Sequence, residues 1–416
     1  MAKKVTPEVE TFARIRVIGI GGSGGNAINH MIESKVKGVE FVAVNTDAQD
    51  LHHSLSKNRI HIGKNLTKGL GTGMNSELGK RAAEETKEEL QEIIKGSDMV
   101  FIAGGMGGGT GTGASAVIAR TAKELGALTV AVVTKPFFFE GTQRMRLADQ
   151  GLALLRKEVD ALIIIPNDKL LQTVEKETTA KDAFAMSDEI LRVAVEGISD
   201  LITKPGIINV DFADIKSVME NAGSALMGIG IASGENRAVE AAKIAINSPL
   251  LDISTDGAKG VLFAIAGGDD MTMNEITEAA KIITESIDQN AKVIFGAIYD
   301  DKLKKDEVKV TVIASGFPQD VTNESPHLPP EPNYLQNAAS DGGVGKIYTS
   351  LGLGKNRREE EPKKTDEKEE FEAPKKEEKK PELPKRKEKA EKEEEVNNDD
   401  DDWGSIPSFL RRSKIR

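Results

Sequence analysis

The chain contains no cysteine in its 416 residues. Disulfides, thiolate metal sites and a cysteine nucleophile are therefore excluded, and a reducing compartment suits it. Positive charge is in deficit, with 56 Lys and Arg against 67 Asp and Glu for a net charge of −11. A sequence-independent grip on nucleic acid needs a basic face, so no nucleic-acid partner is expected. No run approaches the ~18 apolar residues of a membrane span. The opening MAKKVTPEVETFARIRV holds no apolar core for a signal peptide, and a soluble protein inside the cell is the expectation. The five histidines show no ligand spacing, His52 and His53 being adjacent and the rest scattered, so no metal site of protein side chains is read.

Composition divides what is present. As far as Gly316, short β-branched runs alternate with amphipathic stretches; beyond it Pro, Asn, Ser, Glu and Lys take over. Lys355 to Asp402 is too polar to bury a core, and disorder is its default reading. Strands are read at Ile15–Ile20, Phe41–Asn45, Met99–Ala103, Thr129–Thr134 and Ala161–Ile165, with helices at Asn26–Ser34 and Glu77–Lys95. That alternation is the pattern of an α/β doubly wound parallel sheet covered on both faces. A long amphipathic stretch, Ala180–Ile202, leads past Pro205 to strands at Ala225–Ala232, Val261–Ala266, Ala291–Tyr299 and Glu307–Ala314. Helices at Arg237–Asn247 and Asn274–Ile287 accompany them, so a second, smaller α/β domain with a mixed sheet is expected. The expected segments are an extension over 1–14, a nucleotide-binding domain over 15–179, a central helix over 180–203 and a loop with its following helix over 204–222. The second domain covers 223–316, a charged linker 317–402 and a terminal peptide 403–416.

Ligands of open parallel sheets bind at the carboxyl ends of strands. The first such loop, GIGGSGG at Gly19–Gly25, meets the G-x-G-x-x-G spacing through Gly19, Gly21 and Gly24, with Asp47 closing the next strand. Alone it fits a dinucleotide site or a bland tight turn equally well. A second loop, GGMGGGTGTG at Gly104–Gly113, places seven glycines in ten residues between an apolar strand and an Ala-rich helix. Bare backbone lets N–H groups converge on an anion at a helix N-terminus, where four donors lack partners. Two such junctions on neighbouring strand ends suggest a triphosphate held from both sides. The Gly-Lys pairs at Gly63, Gly79, Gly345 and Gly354 lack a following Ser or Thr, so the lysine-bearing phosphate loop is absent.

GGMGGGTGTGA resembles the signature loop of the tubulin superfamily. PFFFEGTQR at Pro136–Arg144, NVDFAD at Asn209–Asp214 and IPSFLRR at Ile406–Arg412 narrow the resemblance to the FtsZ family of bacterial cell-division GTPases. It runs from about Ile15 to Gly316 and returns in the last dozen residues. Ser115-Ala116 stands where the family usually has Ala-Pro, and Ser23 interrupts the first glycine run; neither removes a donor.

The resemblance implies GTP or GDP as ligand, with Mg²⁺. Gly21, Gly22, Ser23, Gly24, Gly25 and Asn26, together with Gly107, Gly108, Gly109, Thr110, Gly111 and Thr112, would hold the phosphates. Gly71 and Thr72 would approach the γ-phosphate. Glu140 and Arg144 would reach the ribose and phosphate oxygens, and Asn167, Phe184 and Asp188 the guanine, whose adjacent N–H donors suit a carboxylate. Asn209, Asp211 and Asp214 would be catalytic, inserted into the site of the next molecule in a head-to-tail homopolymer; read on its own, Asp211 is an N-cap with Asp214 in the first turn. After the aspartate run, Ile406, Phe409 and Leu410 recur at i, i+3 and i+4. In the family this peptide binds division proteins such as FtsA, ZipA, SepF or MinC, giving indirect membrane attachment at the septum. A nicotinamide-dependent oxidoreductase and a nucleotide-binding scaffold that does not hydrolyse stay open as alternatives.

Overall fold

The computed structural model describes residues 13–171, 178–248, 257–288, 290–300 and 302–317. Most of the N-terminal extension, the charged linker beyond Phe317 and the terminal peptide 403–416 lie outside these residues. In chain order the elements are β1 (Ile15–Ile20), α1 (Gly21–Glu33), β2 (Val39–Asn45), α2 (Ala48–His52), β3 (Asn58–His61), α3 (Lys64–Thr67), α4 (Ser76–Glu85), α5 (Lys87–Ile94), β4 (Met99–Gly105), α6 (Thr110–Glu124), β5 (Leu128–Lys135), a 3₁₀ turn at Phe138–Glu140, α7 (Thr142–Leu155), β6 (Ala161–Pro166) and α8 (Asn167–Leu171). After the long α9 (Ala180–Thr203) follow β7 (Gly206–Ile208), α10 (Phe212–Met219), β8 (Gly223–Ser233), α11 (Arg237–Ile246), β9 (Gly260–Gly267), α12 (Met273–Glu285), β10 (Lys292–Tyr299) and β11 (Glu307–Ser315).

The eleven described strands make one sheet, ordered β3-β2-β1-β4-β5-β6-β8-β11-β9-β10-β7. From β3 to β6 every neighbour is parallel, which is the expected doubly wound half. The second half is mixed as expected: β11 runs antiparallel to β8 and β9, while β10 is parallel to β9. A short parallel pairing of Ala161–Ile163 with Gly223–Ala225 joins the two halves edge to edge.

Strand alternation sorts the core into faces. Val17, Phe101, Val130 and Ile163 pack with Ile28 and Met31 of α1 and Ile190, Ala194 and Ile198 of α9. Ile18, Ile102, Ala131 and Val133 turn to the other face, against Ala83 of α4, Leu90 of α5, Ile118 of α6 and Leu152 of α7. Each fully buried Ile, Leu or Phe contributes about 1.5–3 kcal/mol. A third cluster sets α11 and α12 against β9 and β11.

From Met186 to Leu201 every residue of α9 except Asp188 is buried, including four charged ones. Those charges are paired. Arg192 donates from Nε and Nη2 to the two carboxylate oxygens of Glu189, at 2.6 and 2.7 Å, and also bonds Glu196. Burial opposes ionisation of Glu189, but the bonds from Arg192 and His30 hold its carboxyl below the usual carboxylate range. Lys302, between β10 and β11, donates to Glu196 at 2.8 Å and to the Ser34 carbonyl at 2.9 Å, tying α9 and the end of α1 to the mixed half of the sheet.

Two helices differ from the sequence reading by more than two residues, and the short strands β3 and β7 have no counterpart in it. The first helix begins at Gly21 rather than Asn26. Glycine is a poor helix former, yet here it permits contact: a Cβ on Gly24 would stand 2.6 Å from the Ala103 carbonyl oxygen. The stretch read as one helix over Glu77–Lys95 is broken at Thr86. Its hydroxyl donates to the Ala82 carbonyl and accepts the Gly63 amide, and such back-bonding bends helices.

Candidate functional site

The carboxyl ends of β1, β4, β5 and β6 and the N-terminal part of α9 surround a cavity of about 570 Å³, in the range of small-molecule sites. Gly21, Gly22, Ser23 and Asn26 line it from α1, and Gly108, Gly109, Thr110 and Gly111 from the start of α6. Thr72 approaches from the loop before α4, Glu140 and Arg144 from around the start of α7, Asn167 from the end of β6, and Phe184 and Asp188 from α9. Residues scattered from 21 to 188 thus meet in one place.

The phosphate-like end is built of backbone. Where α9 and α12 begin with side-chain capping boxes, neither α1 nor α6 has a side-chain cap. Their first N–H groups are left for whatever occupies the cavity. Some glycines of the signature serve packing in addition to this end, or in its place. A Cβ on Gly109 or Gly113 would collide with the Thr72–Ser76 segment, so these two allow α4 to pack on α6. Gly107, at φ +95°, donates its amide to the Thr112 hydroxyl at 2.9 Å. Gly107 and Thr112 therefore fasten each other and are not among the lining residues; nor are Gly24, Gly25 and Gly71.

The opposite end is less polar. Phe184, about half exposed, meets Phe137 edge-on at 5.3 Å. The Oδ1 of Asn167 is buried without a hydrogen-bond partner; an acceptor in that state points to a ligand donor. Burial pushes the carboxyl of Asp188 up to about 7, the nearby His30 offsetting part of the effect. Glu140 receives Arg144 at 2.7 Å and the Phe137 amide at 3.0 Å, which holds both side chains at the rim. Asp47, the residue that a dinucleotide site would use for ribose, instead caps α2 by accepting the amides of Gln49 and Asp50. Sequence reasoning missed Ile20, Gly73, Met74, Gly105, Met106, Thr134, Pro136 and Ser187, which also line the cavity. Most adjoin residues that it did name, and adjacency was the only signal.

Asn209, Asp211 and Asp214 are elsewhere. Asn209 and Asp211 lie in the connection from the edge strand β7 to α10, and Asp214 in the first turn of α10; all three are exposed. Asn209 Oδ1 accepts the Gly206 amide at 2.7 Å, and Asp211 Oδ1 accepts that of Ala213 at 3.1 Å. The N-cap reading of Asp211 is thus present in the fold. Asp188 and the end of α9 are separated by about 22 Å of helix at 1.5 Å per residue.

A model of the GTPase domain of the Tubulin/FtsZ family matches residues 14–175, and one of the FtsZ family C-terminal domain matches residues 223–318. An empty FtsZ dimer from M. jannaschii is 47% identical over 74% of this chain and 89% of that one, with a TM-score of 0.71. The chain belongs to the FtsZ family. A mutant of the M. jannaschii FtsZ is 46% identical over 74% and 92% of the two chains, also with a TM-score of 0.71. CetZ1 of Haloferax volcanii, solved as a GDP-bound monomer, is 23% identical over 74% and 95%, with a TM-score of 0.64, and bears on the fold alone. Membership of the FtsZ family makes this a tubulin-like GTPase with guanine nucleotide as its ligand class, and cell division and the cytoskeleton are the setting of that family. Among the described residues no helix is long and apolar enough to cross a membrane.

Proposed function

We propose that the chain is a self-assembling GTPase that forms head-to-tail filaments at the division septum and hydrolyses GTP where one molecule meets the next. The observation that carries this reading is a separation. Among the described residues the cavity has amides for phosphates but only two acidic lining residues, Glu140 bound to Arg144 and Asp188 at the far end, whereas Asp211 and Asp214 are exposed outside it, after the edge strand β7. A second copy can bring the two together.

In this reading the amides that begin α1 and α6, with Thr110, hold the phosphates; Gly24, Gly25, Gly107 and Thr112 shape these loops from behind. Gly71 and Thr72 stand at the γ-phosphate, with Gly71 acting through the course of its loop. Glu140 and Arg144 take the ribose and nearby phosphate oxygens. Asn167 and Asp188 accept guanine N–H donors while Phe184 covers the base. Asn209, Asp211 and Asp214 of the neighbouring copy position a water whose oxygen bonds the γ-phosphorus as the β–γ bridging bond breaks, giving GDP and phosphate. Asp211 uses one carboxylate oxygen for its cap, which fixes the direction of the other. Mg²⁺, when bound, neutralises charge on the phosphate oxygens. Among the described residues no three His, Asp or Glu groups cluster to hold a metal, so phosphate oxygens and waters would be its ligands.

An interface of this kind that does not close into a ring produces an open filament. The FtsZ dimer at 47% identity supports self-association. We take the segment boundaries at 179, 203, 222 and 316 as the working parts of this machine, and the peptide 403–416 as the handle for tethers such as FtsA, ZipA, SepF or MinC on the cytoplasmic side of the membrane. The test is GTP turnover per molecule against protein concentration, with filaments scored alongside. Turnover is expected to rise above a threshold together with filaments; equal specific activity at every dilution overturns the reading.

A further inference from the structure

Three threonine hydroxyls form a chain behind the phosphate end of the cavity. Thr46 Oγ1 lies 2.8 Å from Thr110 Oγ1, and Thr110 Oγ1 lies 3.2 Å from Thr72 Oγ1. Thr72 and Thr110 line the cavity; Thr46, at 0% exposure, lies beneath them. Its backbone is held by the Thr46 carbonyl, which accepts His61 Nε2 at 3.0 Å. The flanking residues are fixed as well, because Asn45 donates to Asp50 at 2.6 Å and Asp47 caps α2.

Counting protons fixes the polarity of this chain. A hydroxyl has one proton to give and two lone pairs to receive. Among the described residues the Thr46 hydroxyl has one hydrogen-bond partner, Thr110. Were Thr110 to donate to Thr46, the Thr46 proton would be buried without an acceptor, which is costly. Thr46 therefore donates. The proton of Thr110 is then directed away from Thr46, either into the cavity or to Thr72, whose own proton turns outward. Either way the chain ends in an O–H aimed at the cavity, which suits an anionic oxygen.

We infer that Thr46 is a positioning residue: it donates to Thr110 from below and keeps the Thr110–Thr72 pair oriented as donors to the nucleotide phosphates. The inference rests on the guanine-nucleotide reading of the cavity. Thr46→Val keeps the shape and removes the proton, whereas Thr46→Ser retains it. The expected result for Thr46→Val, below the assembly threshold, is GTP and GDP affinity weakened roughly three- to tenfold, the worth of one hydrogen bond. Guanosine, which has no phosphate, binds as it does to the unaltered chain, and the nucleotide-free protein loses no more stability than the one buried Thr46–Thr110 bond supplies. Thr46→Ser is expected to restore phosphate affinity. Should Thr46→Val not fold, Thr46→Ala carries the same expectation. Full GTP and GDP affinity in the valine or alanine variant overturns the inference, as does an equal loss for guanosine, which would mark Thr46 as merely structural. Failure of the unaltered chain to bind GTP at all would instead defeat the nucleotide reading.

Discussion

The cavity at the carboxyl ends of β1, β4 and β5 and the segment Gly206–Asp214 at the far edge of the sheet are built on opposite principles. In the cavity, polar groups are sheltered and incompletely satisfied. Asn167 Oδ1 has no partner, the Asp188 carboxyl is pushed up to about 7, and two helices begin without side-chain caps. In the other segment the polar groups are exposed, and Asn209 and Asp211 are already bonded to their own backbone. The first region looks unfinished without a ligand, the second complete as a loop and cap. A reactive site assembled from both would have its binding half prepared in each monomer and its chemical half idle until another copy supplies the place where it acts.

The most direct way to break this contrast is to remove the exposed carboxylates. Asp211→Ala or Asp214→Ala should lower GTP turnover by roughly 100-fold or more, in the range for a residue that positions or activates a nucleophile, while leaving GTP affinity unchanged in a filter-binding assay. Mixing either variant with unaltered chain should cost more activity than dilution does. Normal turnover in both variants would leave the two regions unconnected.

A somewhat smaller effect is expected at the sheltered end. Asp188→Asn replaces a charged acceptor with an amide that presents an N–H toward the guanine donors, and GTP affinity should fall about 10- to 100-fold. XTP, which carries a carbonyl where GTP has an amino group, should lose less; an equal loss for both would detach Asp188 from the base.

The pH dependence gives the finest comparison. Below about 7 the Asp188 carboxyl holds a proton and ceases to be a pure acceptor, so GTP affinity should weaken about tenfold from pH 8 to pH 6. The stability of the nucleotide-free protein responds in the opposite sense. Because the folded value lies above the ordinary 3.8, the contribution of this group is fully present below 3.8 and is lost as pH rises through about 7. Asp188→Asn should flatten both curves, as followed by titration and by thermal melting. If binding is independent of pH in the unaltered chain, a different group recognises the base.

Much of this was legible along the chain, and the reasons differ by element. Apolar β-branched runs such as Ile15–Ile20 and Met99–Ala103 declare buried parallel strands because only a sheet covered on both faces can use them. The glycine-rich loops could be placed at strand ends for the same reason. The double use of the glycines was not legible: nothing in GGMGGGTGTG separates Gly113, which admits α4 alone, from Gly109, which admits α4 and also lines the cavity, or from Gly108, which lines the cavity with open space beside it. The early start of α1 was hidden by the low helix propensity of glycine, and the break at Thr86 by a side chain whose partner, Gly63, is distant in sequence.

By itself the sequence determined the order of the longer elements, though not the short strands β3 and β7, together with the strand-end loops and the candidate residues, since periodicity and local backbone chemistry are short-range properties. Only the tertiary structure decided that residues from Gly21 to Asp188 share one cavity while Asp211 and Asp214 stand outside it, and that Asp47 caps a helix. The physical reason is that these outcomes depend on how α9 spans the sheet and on which strands lie side by side. Such arrangements are fixed by burial and pairing across the whole molecule, beyond the reach of any single stretch of chain.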